Sequence, residues 1–279
     1  MQYAIASALG VARQQLNSVT DVPQLEAEVL LAFVLNKQRS YLHAWPEIIL
    51  ETAQQNHFFT LLNKRLEGEP IAYLVGHQEF WSLDLAVTPD VLIPRPETEL
   101  LVELTLNLVD QAVVADLGTG SGAIALALAH EKPNWIVHAT DASSSALQIA
   151  KHNAERLHIS NVTFHQGNWC EALPLIKFNV IVSNPPYIAE DDVHLKTGDL
   201  RFEPRSALVS PEQGLKDITE IIYQAKNYLI SGGMVLLEHG SEQAADVARI
   251  FEIAGYTNVN THQDLAGLDR VTIASWMRF

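Results

Sequence analysis

Val113, Val114, Ala115, Asp116 and Leu117 run directly into Gly118, Thr119, Gly120, Ser121 and Gly122, and an apolar helical stretch follows at once. A short buried strand, a glycine-rich turn and a helix in that order admit few folds. The glycines allow a tight turn, let a ligand lie against bare backbone, and aim the amides of the helix start at it. The surrounding pattern repeats the theme. From residue 97 the spacing predicts helices over 97–109, 122–129, 144–157, 219–229 and 244–254. Between them lie short β-branched runs at 113–117, 136–140, 162–165, 180–183 and 234–238, with a final β pair. This alternation predicts an α/β domain, a Rossmann-like, mostly parallel sheet wrapped by helices.

The residues before it read differently. Ile5, Leu9, Ala12 and Leu16 recur at helical spacing, Asp21 and Pro23 open a second run through Leu25, Val29 and Phe33, and a third helix is expected over 52–66. Phe80, Leu83, Leu85 and Val87 then change the period to that of two short strands, and Pro89, Pro94 and Pro96 exclude a helix there. The expected organisation is a small helical domain over 1–72, a linking segment with two short strands over 73–96 and an α/β domain over 97–279.

The glycine turn satisfies G-x-G-x-x-A through Gly118, Gly120 and Ala123, so the loop alone fits either a dinucleotide or S-adenosylmethionine. Asp141, at the end of the next strand, suits both hydroxyls of a ribose, which either cofactor carries. Asp116 ends the first strand beside the loop, where a carboxylate suits a cationic sulfonium better than a pyrophosphate, and it leans the reading toward the methyl donor. Asn168 and Trp169 follow the third strand, where a polar group can meet an adenine edge and a ring its face. Core packing is the other reading of Trp169.

Ser183, Asn184, Pro185, Pro186 and Tyr187 follow the fourth strand, at the carboxyl edge where open parallel sheets bind ligands. A planar amide or exocyclic amine is a weak nucleophile, because its lone pair is delocalised. The Asn184 side-chain oxygen and the Pro185 carbonyl can each accept one hydrogen of an NH2 group, Pro186 stiffens that carbonyl, and Tyr187 can pack on the flat group. Asn184, Pro185 and Tyr187 are therefore the expected catalytic residues, and Asn184 through Tyr187 the substrate-binding ones. Transfer by direct displacement needs no covalent intermediate.

The chain carries a formal net charge of −15, which disfavours a phosphate backbone as partner and leaves a protein or small molecule as the expected substrate. Its start lacks a signal-peptide pattern, and no apolar run approaches a membrane span, so a cytoplasmic protein without membrane contact is expected. The one cysteine, Cys170, can form no internal disulfide and reads as a small buried filler. No H-E-x-x-H or paired Cys/His spacing suggests a metal. The acidic run Glu190, Asp191, Asp192 reads as a solvated loop.

At these residues the chain resembles the bacterial release-factor glutamine methyltransferases. The likeness extends beyond 116–122 and 184–187 to Gly68 through Leu74, Leu92 through Glu99, Arg201 through Pro204, Glu238 through Gly240 and Asp264 through Arg270. The resemblance implies a helical N-terminal domain that recognises the partner, a β-hairpin linker over 73–96 and a C-terminal catalytic domain using S-adenosylmethionine. The implied partner is a class 1 peptide chain release factor, methylated on the glutamine of its Gly-Gly-Gln loop, and the enzyme is expected to be a monomer. By the same likeness Gly118, Thr119, Gly120, Ser121, Gly122, Asp141, Trp169 and Asn184 contact the cofactor. Asn168 departs from the aspartate expected there, keeping an acceptor without the charge. Arg95 and Glu97 shape the mouth of the site or brace the hairpin. Two readings compete: the sister enzyme acting on a ribosomal-protein glutamine, and a nucleic-acid amino methyltransferase.

Overall fold

The computed structural model describes residues 2–108 and 110–277, so the expected helix end at Val109 and the chain termini lie outside the described residues. Two compact units form: Met1–His77 with Lys196–Phe202, and Gln78–Leu195 with Glu203–Phe279. The strands are β1 His77–Phe80, β2 Leu83–Ala86, β3 Val113–Leu117, β4 Ile136–Asp141, β5 Val162–Gln166, β6 Phe178–Ser183, β7 Leu229–Glu238, β8 Thr257–Gln263 and β9 Asp269–Trp276.

The first unit is helical, with helices Ile5–Leu16, Pro23–Leu35, Arg39–Ala44, Thr52–Leu66 and Ile71–Val75; the last runs past residue 72, where the linker was expected to begin. Its core joins Ile5, Ala8, Leu16, Leu30, Leu31, Phe58 and Leu62. In the second helix the sequence suggested Leu25, Val29 and Phe33 as the inward stripe, yet Leu25 and Phe33 are 41% and 39% exposed while Ala27, Leu30 and Leu31 are buried. That helix is apolar on nearly every side, so its pattern cannot choose a face. Arg65 fastens the Lys196–Phe202 segment, bonding Glu26 at 2.8 Å and Asp199 at 2.8 Å. Gly68 turns the chain at φ +98°, a backbone conformation that residues with a Cβ rarely adopt, which explains a glycine at that turn.

In the second unit, β1 and β2 form a hairpin, and the other strands form one sheet in the order β5-β4-β3-β6-β7-β9-β8. β5 through β7 are parallel neighbours; β9 runs antiparallel to β7, and β8 antiparallel to β9. Helices cover both faces because the strands are apolar on both. Val114, Val180, Val182 and Leu236 pack on one side with helix Ala123–Glu131, while Ala115, Ile181, Val235 and Leu237 pack on the other with helices Lys216–Ala225 and Ala244–Ile253. One expected helix is shorter than its pattern. Leu229 continues the spacing of Ile218, Ile222 and Ala225, but it opens β7 opposite Phe178 and is buried there as a strand residue.

The turn after β3 is braced from beneath. Asn153 is fully buried; its side-chain nitrogen donates to the carbonyls of Ala86 and Ser121, and its oxygen accepts from the Ala86 amide, so hairpin, turn and helix Ser144–Arg156 share one amide. Asp116 is also fully buried, and its Oδ2 accepts from Thr119 Oγ1 at 2.6 Å and from the Ala125 amide at 3.2 Å. Its Oδ1 has no hydrogen-bond partner. Burial pushes the carboxyl up to about 7, against the bonds from Thr119 and Ala125 and with added repulsion from Asp141.

A carboxyl raised on folding binds its proton more tightly in the native state, so its contribution is full at low pH and falls as pH rises through about 7. Asp116→Asn should therefore gain stability relative to wild type by roughly 2 kcal/mol between pH 5 and pH 8. Thermal unfolding of both proteins at the two pH values checks this; a difference that does not change with pH contradicts it.

Candidate functional site

At the carboxyl edge of the sheet, where the order reverses between β3 and β6, a cavity of about 310 Å³ opens within the second unit. The ends of four adjacent strands supply it: Gly118 and Gly120 after β3, Asp141 ending β4, Asn168 and Trp169 after β5, and Asn184 and Pro186 after β6. This arrangement follows from the register. Leu117 stands beside Thr140 on β4 and beside Ser183 on β6, so the three turns leave the sheet side by side. Ser183 Oγ donates to the Leu117 carbonyl at 2.6 Å and ties two of them together.

The glycine turn divides its work. Gly118 (φ +71°) and Gly120 (φ +55°) face the cavity, and a Cβ on Gly118 would meet the Trp169 ring at 3.1 Å. Thr119, Ser121 and Gly122 do not line the cavity. Thr119 is turned inward to Asp116, Ser121 is buried with its carbonyl held by Asn153, and a Cβ on Gly122 would collide with Leu126 at 2.9 Å. They shape the turn and support the helix behind it. Asp116 likewise points away, a correction to its reading as the carboxylate facing a cationic ligand: its bonds to Thr119 and Ala125 commit it to the turn.

Asp141 is built as an acceptor. Its Oδ2 takes the Gly120 amide at 2.9 Å and its Oδ1 the Ser143 amide at 2.8 Å, leaving each oxygen a further lone pair. Burial raises its pKa while both amide bonds lower it. Trp169 holds a left-handed backbone (φ +44°), an uncommon conformation for a bulky residue, and its ring both packs against the core and lines the cavity.

Asn184 donates its Nδ2 hydrogen to Thr98 Oγ1 at 3.1 Å. Among the described residues no protein group donates to its Oδ1 or to the Pro185 carbonyl, so two acceptors stand uncommitted at neighbouring positions. Pro185 itself is buried. Tyr187 does not line the cavity; its hydroxyl donates to Glu238 Oε1 at 3.3 Å and its carbonyl accepts from Gln243. Burial and the neighbouring Glu238 push the Tyr187 phenol well above its usual range.

Other residues around the site left no mark in the sequence reading. Asp90, Asp217 and Glu220 line the cavity with Asp141, so its ionisable side chains are four carboxylates with no Lys, Arg or His among them. Asp217 and Glu220 stand three apart on the edge of an amphipathic helix, a spacing that ordinarily reads as a solvated face. Arg95 and Glu97 do not line the cavity: Arg95 pairs with buried Glu203, whose other oxygen accepts the Ile93 amide at 3.0 Å. Cys170 is buried, with its thiol pushed up to about 12. Glu190 and Asp191 are exposed, and Asp192 bonds His194. No helix among the described residues is long and apolar enough to cross a membrane.

Known proteins resemble both halves of the chain. Residues 7–76 match the model of the PrmC N-terminal domain, and residues 96–204 that of the methyltransferase small domain. A release factor glutamine methyltransferase of Coxiella burnetii is 50% identical over 264 residues, covering 94% of this chain and 95% of that one. The protein of the same name from Vibrio cholerae is 50% identical over 281 residues, with 99% and 98% covered, and that of Escherichia coli is 46% identical over 259 residues, with 92% and 94% covered. The crystal structure of a methyltransferase from Pyrococcus furiosus superposes with a TM-score of 0.55 at 21% identity, covering 77% of this chain and 98% of that one, a likeness of fold alone. Identity at this level over nearly the full length shows that the chain belongs to the release factor glutamine methyltransferase family.

Proposed function

We propose that this protein transfers a methyl group from S-adenosylmethionine to the side-chain nitrogen of a glutamine, the one in the Gly-Gly-Gln loop of a class 1 release factor, in the cytoplasm. The observation that carries the reading is the Asn184 amide at the cavity wall, with its nitrogen committed to Thr98 and its oxygen uncommitted. A primary amide has two hydrogens, and Asn184 Oδ1 with the Pro185 carbonyl matches that pair.

The cavity suits the donor. S-adenosylmethionine, when bound, supplies a methyl group on a positively charged sulfur. Asp141 has the lone pairs for a ribose diol, Trp169 a flat face for adenine, and Gly118 and Gly120 bare backbone. A lining whose ionisable groups are all carboxylates favours this cation over the pyrophosphate of a dinucleotide, the choice that the glycine turn leaves open.

Each protein group then has a defined task. Asn184 and Pro185 withdraw the amide hydrogens toward themselves, raise electron density on nitrogen and fix its line of approach. Tyr187, immobilised by Glu238 and Gln243, stiffens the segment that carries both acceptors. Once it carries the methyl group and both hydrogens the nitrogen is cationic and strongly acidic, so its extra proton passes to water without a strong base. Positioning is the main lever, and well-oriented pairs recover roughly 7 to 11 kcal/mol of a barrier.

Incubation with methyl-labelled S-adenosylmethionine and three separate acceptors tests the reading: a release factor, that factor with its Gly-Gly-Gln glutamine replaced, and ribosomal subunits. Label is expected on the unaltered factor alone. Label on ribosomal protein or RNA instead would move the chain to one of the competing substrates. Asn184→Ala should lower kcat by about 100-fold or more with cofactor affinity only partly weakened, whereas Asp141→Ala should weaken cofactor binding about tenfold or more. Calorimetry beside turnover separates the two; a fully active Asn184→Ala would end the mechanism.

A further inference from the structure

We propose that Glu238, acting through Thr98, fixes which way round the Asn184 amide stands, making Thr98 and Glu238 positioning residues for the methyl-accepting nitrogen. The inference deepens the proposed role of Asn184 and rests on it. An asparagine amide is nearly symmetric in shape and opposite in polarity at its two ends. Only the orientation with Oδ1 outward offers an acceptor to a substrate NH2; the reverse sets two donors against each other.

The fold brings the three residues together. β6 and β7 are parallel with Val182 beside Leu236 and Ser183 beside Leu237, so the next residues along are Asn184 and Glu238. Thr98 ends the one-turn helix Pro96–Thr98 and bonds Asn184 Nδ2 at 3.1 Å. Thr98 is 4% exposed and Glu238 1%, so the protein, not solvent, decides the direction of these bonds.

A threonine hydroxyl has one hydrogen. An ionised carboxylate only accepts; Glu238 Oε1 takes the Tyr187 hydroxyl at 3.3 Å, and Thr98 stands close enough to lower the pKa of the Glu238 carboxyl. Glu238 Oε2 is buried without a close partner, so acceptor capacity remains for the Thr98 hydrogen. With that hydrogen drawn to Glu238, Thr98 Oγ1 must accept from Asn184, which turns the asparagine nitrogen inward and its oxygen outward. A neutral Glu238 removes the demand. Thr98 is then free to donate to Asn184 Oδ1, and the amide can turn over.

The groups facing Glu238 bear on its charge. Burial raises its carboxyl to about 7, Thr98, Arg270 and Tyr187 lower it, and Glu97 raises it. The adjacent His239 is tied to Thr272 and Gly240 through its two ring nitrogens. Because Glu238 acts as the anion, kcat in wild type falls as pH drops through about 7.

The test compares Thr98→Val, Thr98→Ser and Glu238→Gln with wild type, measuring kcat and KM for a release factor and cofactor affinity by calorimetry. Thr98→Val and Glu238→Gln are expected to lose kcat roughly 10- to 100-fold with cofactor affinity unchanged. Thr98→Ser keeps the hydroxyl and should stay near wild type, and the acid limb of kcat should vanish in Thr98→Val. A Thr98→Val enzyme with wild-type kcat, or a Thr98→Ser enzyme as impaired as Thr98→Val, overturns the inference. Asn184→Ala distinguishes the levels: if it turns over normally the reading of the site fails, and if it is inactive while Thr98→Val and Glu238→Gln match wild type only this inference fails.

Discussion

The site depends on the parallel pairing of β3 with β6, with Leu117 opposite Ser183. Backbone bonds fix that register, and Ser183 Oγ on the Leu117 carbonyl reinforces it at its last step. From this one pair of residues the chain departs in two directions, into the glycine turn and into the Asn-Pro-Pro-Tyr turn. A slip of one residue would turn every side chain to the opposite face of its strand. The sheet therefore sets the distance between the glycine turn and the Asn-Pro-Pro-Tyr turn, and the turns add chemistry to a separation already fixed.

Charge is distributed to match. The cavity walls carry carboxylates alone among ionisable groups, while a second set of carboxylates, Asp116 and Glu238, lies buried behind them. The buried pair costs stability because each carries an oxygen without a partner and a carboxyl raised toward neutrality. In exchange Asp116 shapes the turn that presents Gly118 and Gly120, and Glu238 anchors Tyr187. Rigidity at the edge is achieved through groups that a purely apolar core would replace.

Much of this was legible in the sequence, for identifiable reasons. β3 and β6 read as strands because Val, Ile and Leu crowd both faces, and the glycine and proline turns are local signals that need no tertiary context. What was hidden depends on packing. The equal apolarity of both sides of helix Pro23–Leu35 concealed its inner face, and Leu229 matched a helical period although β7 claims it. Within 118–122 the sequence could not say that Gly118 and Gly120 face outward while Thr119, Ser121 and Gly122 serve the turn. Thr98 meets Asn184 from 86 residues away, and Glu238 meets Tyr187 from 51, where no spacing rule reaches.

The most direct measurement is a high-resolution structure of the protein with S-adenosylhomocysteine and a Gly-Gly-Gln peptide, refined well enough to distinguish amide nitrogen from oxygen. Ribose hydroxyls are expected on Asp141, Asn184 Nδ2 on Thr98, and the glutamine nitrogen between Asn184 Oδ1 and the Pro185 carbonyl. A cofactor bound away from Asp141, or Asn184 presenting its nitrogen to the glutamine, would contradict this arrangement.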